Sequence, residues 1–171
     1  KASDTERIVK SLKNNSGIYL VPAFTGIGAP YWNANARGVL SGITRNTGPK
    51  EIVRATIESV AYQTNDLFDA MKQDGLRPKL VKVDGGMVMN NWFSQYLADI
   101  INIKVLRPKV YETTALGAAF MAGLQVGVYK SLKQISKQWK LDKKFKPKVN
   151  NKFRKKVLAD WNKAVKRTLI T

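Results

Sequence analysis

The sequence predicts an α/β fold in which a short, mostly parallel sheet is flanked by helices, and three observations lead to it. Apolar runs at residues 80–84 and 104–106 have the length of strands, and the apolar residues between them recur with helical spacing. This order predicts two parallel strands joined by a right-handed helical crossover. Of the 171 residues, 44% are hydrophobic, which is enough for a packed interior.

The first half of the chain predicts two strands and a long helix. Strands are expected at residues 17–24 and 38–43, with a Gly- and Pro-rich loop between them. The helix is expected to begin near Pro49, because proline suits the first helical position and Glu51 lies in the first turn, near the positive helix end. Its predicted core face consists of Val53, Ile57, Val60, Ala61, Phe68 and Met71.

The second half predicts the strand-helix-strand unit and two further helices. After the strand at residues 80–84, a helix is expected from about Asn90, with one broad apolar face made of Trp92, Phe93, Tyr96, Leu97, Ile100 and Ile101. A helix opening at Thr113 or Thr114 carries small residues that would let it lie close against the sheet. Residues 130–150 predict a short helix and a connector, and an amphipathic helix follows with Phe153, Val157, Trp161, Val165 and Leu169 at spacings of four.

Positive charge is concentrated at the C-terminal end of the chain. The net charge is +18, and residues 130–171 hold 15 basic and two acidic side chains. A basic arm for nucleic acid is one interpretation, and the lysine-rich outer face of a docked helix is the other. The apolar stripe of the last helix favours docking on the body of the protein, so we expect nucleic acid not to be a partner.

The composition excludes several kinds of chemistry. The chain has no cysteine and no histidine, which excludes disulfide scaffolds, zinc sites built on these residues and Ser-His-Asp triads. No apolar run reaches the 18 or so residues of a membrane span, and the absence of cysteine fits a reducing compartment, so we expect a cytoplasmic protein. Residues 1–15 do not resemble a signal peptide, and the missing initiator Met indicates a fragment or a processed product.

The turn between the predicted parallel strand and its helix is the strongest candidate for a binding site. Asp84 lies at the carboxyl end of the strand, where ligands collect in open α/β sheets. Gly85 and Gly86 would let a ligand approach the backbone, and Asn90 could cap the helix or turn its amide toward that ligand. A plain chain reversal is the alternative interpretation of this motif.

Other polar residues indicate structure rather than chemistry. Glu58, Asp66, Asp99 and Glu112 form no pair at a catalytic spacing, and we interpret each as a solvated or salt-bridged helix residue. The pair Gly26 and Gly28 is a weak phosphate-binding signal, because neither a helix nor a Gly-Lys-Ser/Thr sequence follows it.

The chain resembles the family of carbohydrate kinases that includes glycerol, xylulose and gluconate kinases, and its glycerol kinase branch in particular. Residues 38–58 are similar to the second signature of that family along their whole length. Further motifs appear in the family's order at residues 22–32, 36–38, 61–63, 83–86, 90–91, 114–119 and 161–167. The resemblance covers nearly all of residues 17–169.

This resemblance implies an ATP-dependent kinase that phosphorylates glycerol on a ribonuclease-H-like fold of the actin and hexokinase type. Residues 1–171 would be the C-terminal part of the second, nucleotide-side domain, with residues 130–171 as a basic connector and a terminal helix packed on it. Gly86 and Asn90 take the adenosine-contacting positions, and Asp84 and Gly85 form the turn that presents them. Catalytic residues and magnesium ligands belong to a missing N-terminal part, so none is assigned here.

Three alternatives and one further expectation remain open at this stage. The chain could instead be a basic nucleic-acid-binding module, a remnant without activity, or part of a kinase for another polyol or sugar. Because the strands that begin the family's domain are missing, an apolar face and a sheet edge should be exposed. We therefore expect self-association or pairing with a partner, and a homo-oligomer in the full-length protein.

Overall fold

A computed structural model describes residues 2–170 of the chain. In chain order, the elements are a 3-10 turn at Ala2–Asp4, α1 (Thr5–Lys10), β1 (Tyr19–Val21), β2 (Val39–Ser41), α2 (Pro49–Gln73), β3 (Leu80–Lys82), a 3-10 turn at Gly86–Met89, α3 (Asn91–Ile101), β4 (Lys104–Pro108), α4 (Thr113–Gln125), α5 (Leu132–Ser136), β5 (Leu141–Phe145) and α6 (Asn151–Leu169).

The predicted α/β class is confirmed, but the larger sheet is mixed rather than mostly parallel. Its strand order is β3-β4-β5, with β3 and β4 parallel and β5 antiparallel to β4. β1 and β2 form a separate antiparallel pair. The sequence did not predict β5, because Leu141–Phe145 carries Asp and two lysines between its apolar ends and four of its five residues are exposed. Charged side chains are typical of strands at a sheet edge.

The predicted helix starts are confirmed, while the first two strands are shorter than expected. α2 begins at Pro49, and the Gly48 N–H donates to Glu51 Oε2 at 2.9 Å. α3 follows Asn90 and α4 begins at Thr113. β1 covers three residues of the predicted 17–24, and β2 three of the predicted 38–43.

The predicted core face of α2 is confirmed in part. Of its six residues, Ala61 is buried, Val53, Ile57, Val60 and Phe68 are half-buried, and Met71 is 41% exposed. The buried residues of α2 are mostly polar, namely Arg54, Ala55, Glu58, Ser59, Ala61, Tyr62, Asn65 and Asp66. Ala61 belongs to the hydrophobic core, and Ile57, Val60 and Phe68 pack against it. The predicted apolar stripe therefore contacts the core, while the neighbouring polar stripe is buried more deeply.

Aromatic rings join α2, α3 and α6 in that core. Tyr62 stacks on Trp161 with ring centroids 5.3 Å apart and meets the edge of Tyr96 at 6.0 Å. The Tyr62 and Tyr96 hydroxyls lie 2.6 Å apart, so the buried phenols satisfy each other. α6 packs against β1 and β2 through Val157, Trp161 and other buried residues of the predicted stripe.

Two helices lie differently from what the sequence indicated. α1 was not predicted, yet its Val9 is fully buried and the helix packs on α2 and α3. α4 has no buried residue, so its small side chains do not bring it into the core. Within residues 2–170, no helix is both long and apolar enough to cross a membrane.

Candidate functional site

The turn singled out by the sequence lies between β3 and α3. Gly85 has a φ of +83°, a conformation that favours glycine, and its N–H donates to the Tyr111 carbonyl at 2.8 Å. Gly86 then begins the 3-10 turn that ends at Met89, and Asn90 precedes α3. The chain thus reverses where the parallel strands β3 and β4 end, which is the edge that binds ligands in open α/β sheets.

Backbone at both glycines is open to a ligand. A Cβ added at Gly85 or at Gly86 would meet no atom within 4 Å among the described residues. Gly86 also has no positive φ, so neither backbone conformation nor packing in this part of the chain requires a glycine there. Close approach of a ligand to the backbone would explain why this position is a glycine.

Asn90 uses both ends of its side-chain amide. Its Oδ1 accepts the Phe93 N–H at 2.9 Å, which caps α3, and its Nδ2 donates to Thr5 Oγ1 at 3.3 Å. The cap confirms one of the two roles considered for this residue. Because the cap fixes the side chain, the amide keeps one orientation.

Asp84 joins this turn to the start of α4. Its side chain is exposed, and its Oδ2 accepts a hydrogen bond from the Thr113 hydroxyl. The four predicted site residues, Asp84, Gly85, Gly86 and Asn90, therefore lie on one continuous turn, next to the first residue of α4.

A cavity of about 540 Å³ opens beside the turn, and the N-terminal segment forms part of its wall. Thr5, Glu6, Gly86, Met89 and Asn90 are among its lining residues. Glu6 accepts the Asn91 N–H at 2.9 Å and a hydrogen bond from Lys10. Burial acts to raise the pKa of Glu6, but these bonds and the Lys10 charge outweigh it, so the pKa lies below its usual value.

Three of the four carboxylates that the sequence left outside the site have structural partners, and the fourth, Glu112, is exposed. Glu58 is 1% exposed and its Oε1 accepts from Arg54 Nε at 2.7 Å, so the salt-bridged interpretation is right and the solvated one is wrong. Asp66 accepts from Tyr31 and Trp161, and Asp99 from Gln95 and the Lys148 N–H.

Gly26, the first residue of the other glycine pair, also has a structural role. Gly26 has a φ of +100°, and an added Cβ would lie 2.9 Å from the Ala34 Cα. Close approach of two backbones therefore requires glycine at this position, without a ligand.

The sequence missed three side chains that hold the turn. Thr113 and Glu6 contact it as described, and Arg107 Nη1 donates to the Val88 carbonyl at 2.8 Å. The sequence did contain a signal for Arg107. It lies two residues after Val105 in β4, and residues two apart in a strand lie on the same face, which is buried here. Nothing in the sequence alone indicated that α1 would reach the turn.

Comparison with known proteins places this chain in a family. Residues 4–126 match the model of the C-terminal domain of the FGGY family of carbohydrate kinases. The chain is 52% identical over 167 residues to a glycerol kinase of Ectopseudomonas mendocina, covering 97% of this chain and 34% of that protein. It is 50% identical over 171 residues to a glycerol kinase of Alcanivorax borkumensis, again covering 34% of it.

Solved structures agree with the sequence comparison. The glycerol kinase of Plasmodium falciparum, determined with ADP, matches with a TM-score of 0.86 and 41% identity over all of this chain and 34% of its own. A ligand-bound xylulose kinase from Lactobacillus acidophilus matches with a TM-score of 0.71 and 26% identity over 95% of this chain and 32% of its own. This chain thus spans about a third of the length of the relatives it matches. It belongs to the FGGY family of carbohydrate kinases, and its residues 4–126 correspond to the C-terminal domain of that family.

Proposed function

We propose that this chain is the C-terminal part of an ATP-dependent glycerol kinase, which converts glycerol and ATP to glycerol 3-phosphate and ADP. Its turn at residues 84–90 would supply the adenosine side of the nucleotide site. The open backbone at Gly86 is the observation that carries the proposal, because no packing contact or backbone angle within the described residues requires glycine there. The glycerol kinases at about 50% identity support the choice of acceptor.

Each residue of the turn has a physical role in this proposal. Gly86 lets the nucleoside lie against the backbone, and Asn90 contacts it through the second N–H of its Nδ2, since the Thr5 contact uses one. Gly85 supplies the positive φ that the reversal requires. Asp84 ties the turn to α4 through Thr113.

Catalysis would require the remaining two thirds of the enzyme. Phosphoryl transfer depends on positioning and charge stabilisation, so a base, magnesium and the γ-phosphate must face the acceptor across a cleft. Among residues 2–170, no three acidic side chains come together as a metal site. Because magnesium at nucleotide sites is usually held by one or two carboxylates together with substrate phosphates, we assign its protein ligands to the rest of the enzyme. We expect no activity from this chain alone.

Titration with ADP tests the nucleotide site. We expect wild-type chain to bind ADP measurably in a calorimeter and Asn90→Ala to bind it at least tenfold more weakly, because the variant loses the contact and its fixed orientation. Asn150→Ala is the matched control: Asn150 Oδ1 caps α6 by accepting the Phe153 N–H at 2.8 Å. Loss of either cap should cost about 1 kcal/mol of stability, but only the first should affect ADP.

Three results would contradict the proposal. They are absence of ADP binding by the wild-type chain, equal binding by Asn90→Ala, and ADP production from glycerol and ATP by the chain alone in a coupled assay. An affinity for RNA that falls steeply with salt and ignores ATP would instead favour a nucleic-acid-binding module.

The same proposal covers location and partners. We expect a cytoplasmic enzyme that forms a homo-oligomer, with ATP, glycerol and the rest of its own chain as partners and nucleic acid not among them. Residues 130–171 would be the basic connector and terminal helix of the nucleotide-side domain. The packing of α6 on β1 and β2 supports this assignment, since the lysines of α6 then face outward.

A further inference from the structure

Arg107 in β4 lies behind the turn at residues 84–90, the nucleotide turn of the proposed function. It is 6% exposed, which is unusual for arginine, and it lies on the same face of the strand as the fully buried Val105. A buried guanidinium is costly unless its N–H groups and its charge are satisfied. Its partners therefore show what holds it there.

This guanidinium makes four hydrogen bonds and one ion pair. Nη1 donates to the carbonyls of Val88 at 2.8 Å and Met89 at 3.3 Å, and Nη2 donates to Asn91 Oδ1 at 3.3 Å. Nε donates to Asp142 Oδ2 at 2.8 Å, and Nη2 lies 2.7 Å from the same oxygen in an ion pair.

These contacts lie on both sides of Asn90 in the sequence and do not involve Asn90 itself. Val88 and Met89 directly precede Asn90, and Asn91 directly follows it. A single planar group thus fixes the chain on both sides of the residue that caps α3. The Ser94 hydroxyl donates to the same Val88 carbonyl at 2.8 Å, so Arg107 and Ser94 together restrain this end of the turn.

Strand β5 orients Arg107 from the opposite side. Its Asp142 neutralises the guanidinium, and Lys143 Nζ donates to the same Asn91 Oδ1 at 3.0 Å. β5 pairs with β4 in a register that sets Arg107 opposite Lys143. Residues from the basic connector therefore reach the nucleotide turn.

We propose that Arg107, oriented by Asp142, is a positioning residue for the nucleotide site. It holds the backbone of the turn so that Gly86 and Asn90 keep the geometry in which they meet the adenosine. This role rests on the proposed function, because it concerns the same turn.

Arg107→Lys tests the role in the full 171-residue chain. Lysine keeps the charge but has three donors on one atom, so it cannot reach acceptors on both sides of Asn90. We expect ADP to bind about tenfold more weakly, an effect of the size seen when groups that orient ligand-contacting residues are removed. Hydrogen exchange of the amides in residues 84–91 should become faster.

Asp142→Asn and Arg154→Lys complete the experiment. Asp142 has a 41% exposed side chain and asparagine keeps an acceptor oxygen, so this variant should fold and show a smaller loss in the same direction. Arg154 donates to the Asp99 and Val149 carbonyls near the other end of α3, so its lysine variant should lose stability without a change in ADP affinity or exchange at the turn.

The outcomes separate this inference from the proposed function. If the wild-type chain binds ADP and Arg107→Lys binds it equally, or if exchange in residues 84–91 is unchanged, the positioning role is wrong while the function stands. If Arg154→Lys weakens ADP binding as much, the effect reflects general stability and the role is also wrong. If the wild-type chain binds no ADP, the proposed function fails and the role fails with it.

Discussion

Asp66 is a buried carboxylate with a structural role, because hydrogen bonds from other parts of the chain hold it in place. It is 8% exposed, and its Oδ2 accepts from the Trp161 indole N–H at 2.8 Å and the Tyr31 hydroxyl at 3.0 Å. Burial raises the pKa of Asp66 above its usual value, and the hydrogen bonds from Trp161 and Tyr31 oppose that shift only in part. The folded protein therefore holds the Asp66 proton more tightly than the unfolded chain does.

The free energy of unfolding of Asp66→Asn, relative to wild type, should increase as the pH rises. Because the pKa of Asp66 is raised in the folded state, Asp66 contributes most to the stability of the protein at low pH. This contribution is lost as the pH rises from about 4 through the folded pKa. Asparagine does not titrate but keeps an acceptor oxygen for Tyr31 and Trp161. Urea unfolding from about pH 3.5, below the unfolded pKa, to pH 8 should show the difference in free energy of unfolding, variant minus wild type, increasing with pH.

A surface carboxylate provides the control for this measurement. Asp160 pairs with Lys163 at 2.9 Å on the partly exposed side of α6, so Asp160→Asn should change the free energy of unfolding by about 0.5 kcal/mol or less. A difference for Asp66→Asn that is constant or decreases between about pH 3.5 and pH 8 would contradict the assigned direction of the pKa.

At the scale of elements, α6 is anchored most strongly at its centre. Trp161 is fully buried, stacks on Tyr62 and donates to Asp66, whereas Phe153 at the start of the same stripe is 39% exposed. Trp161→Ala should therefore lower the free energy of unfolding by about 3–5 kcal/mol, and Phe153→Ala by less than about 1 kcal/mol. Urea unfolding measures both.

A milder variant keeps this prediction testable if Trp161→Ala does not fold. Trp161→Phe retains a ring to pack on Tyr62 but removes the indole N–H from buried Asp66, which should cost about 1–3 kcal/mol. Equal losses for Phe153→Ala and Trp161→Phe would mean that α6 is held along its length rather than at its centre.

The sequence predicted elements that carry their own local signals and missed those defined by distant partners. Proline at the first position of α2 and the cap at Asn90 are local, and both helix starts are confirmed. β5 forms because β4 offers it an edge. On α2, Arg54 and Asp66 are buried because they meet partners from other parts of the chain, the Leu12 carbonyl and Trp161. The turn was found for the same local reason, through Gly85, Gly86 and Asn90, whereas Arg107 became visible only with its partners.

At the scale of the whole molecule, the described chain leaves a continuous element without a partner. α4 has no buried residue, and apolar side chains on it and after it are open, with Met121 at 52% and Val126 at 74% exposed. β3 lies at the end of its sheet, and its outer edge pairs with no strand of the described residues. Exposed apolar faces and open edges of this kind are sites of association.

We expect the isolated chain to self-associate through the α4 surface. Light scattering at increasing concentration should give a mass above the 19.2 kDa of one chain. Met121→Lys should shift this association to higher concentration, because a charge on the apolar face must be desolvated when the face is covered. Ile43→Lys is the matched control, since Ile43 is 59% exposed after β2 and belongs to a different surface. A monomer at every concentration, or equal effects of the two lysine variants, would show that α4 is not the surface that self-associates.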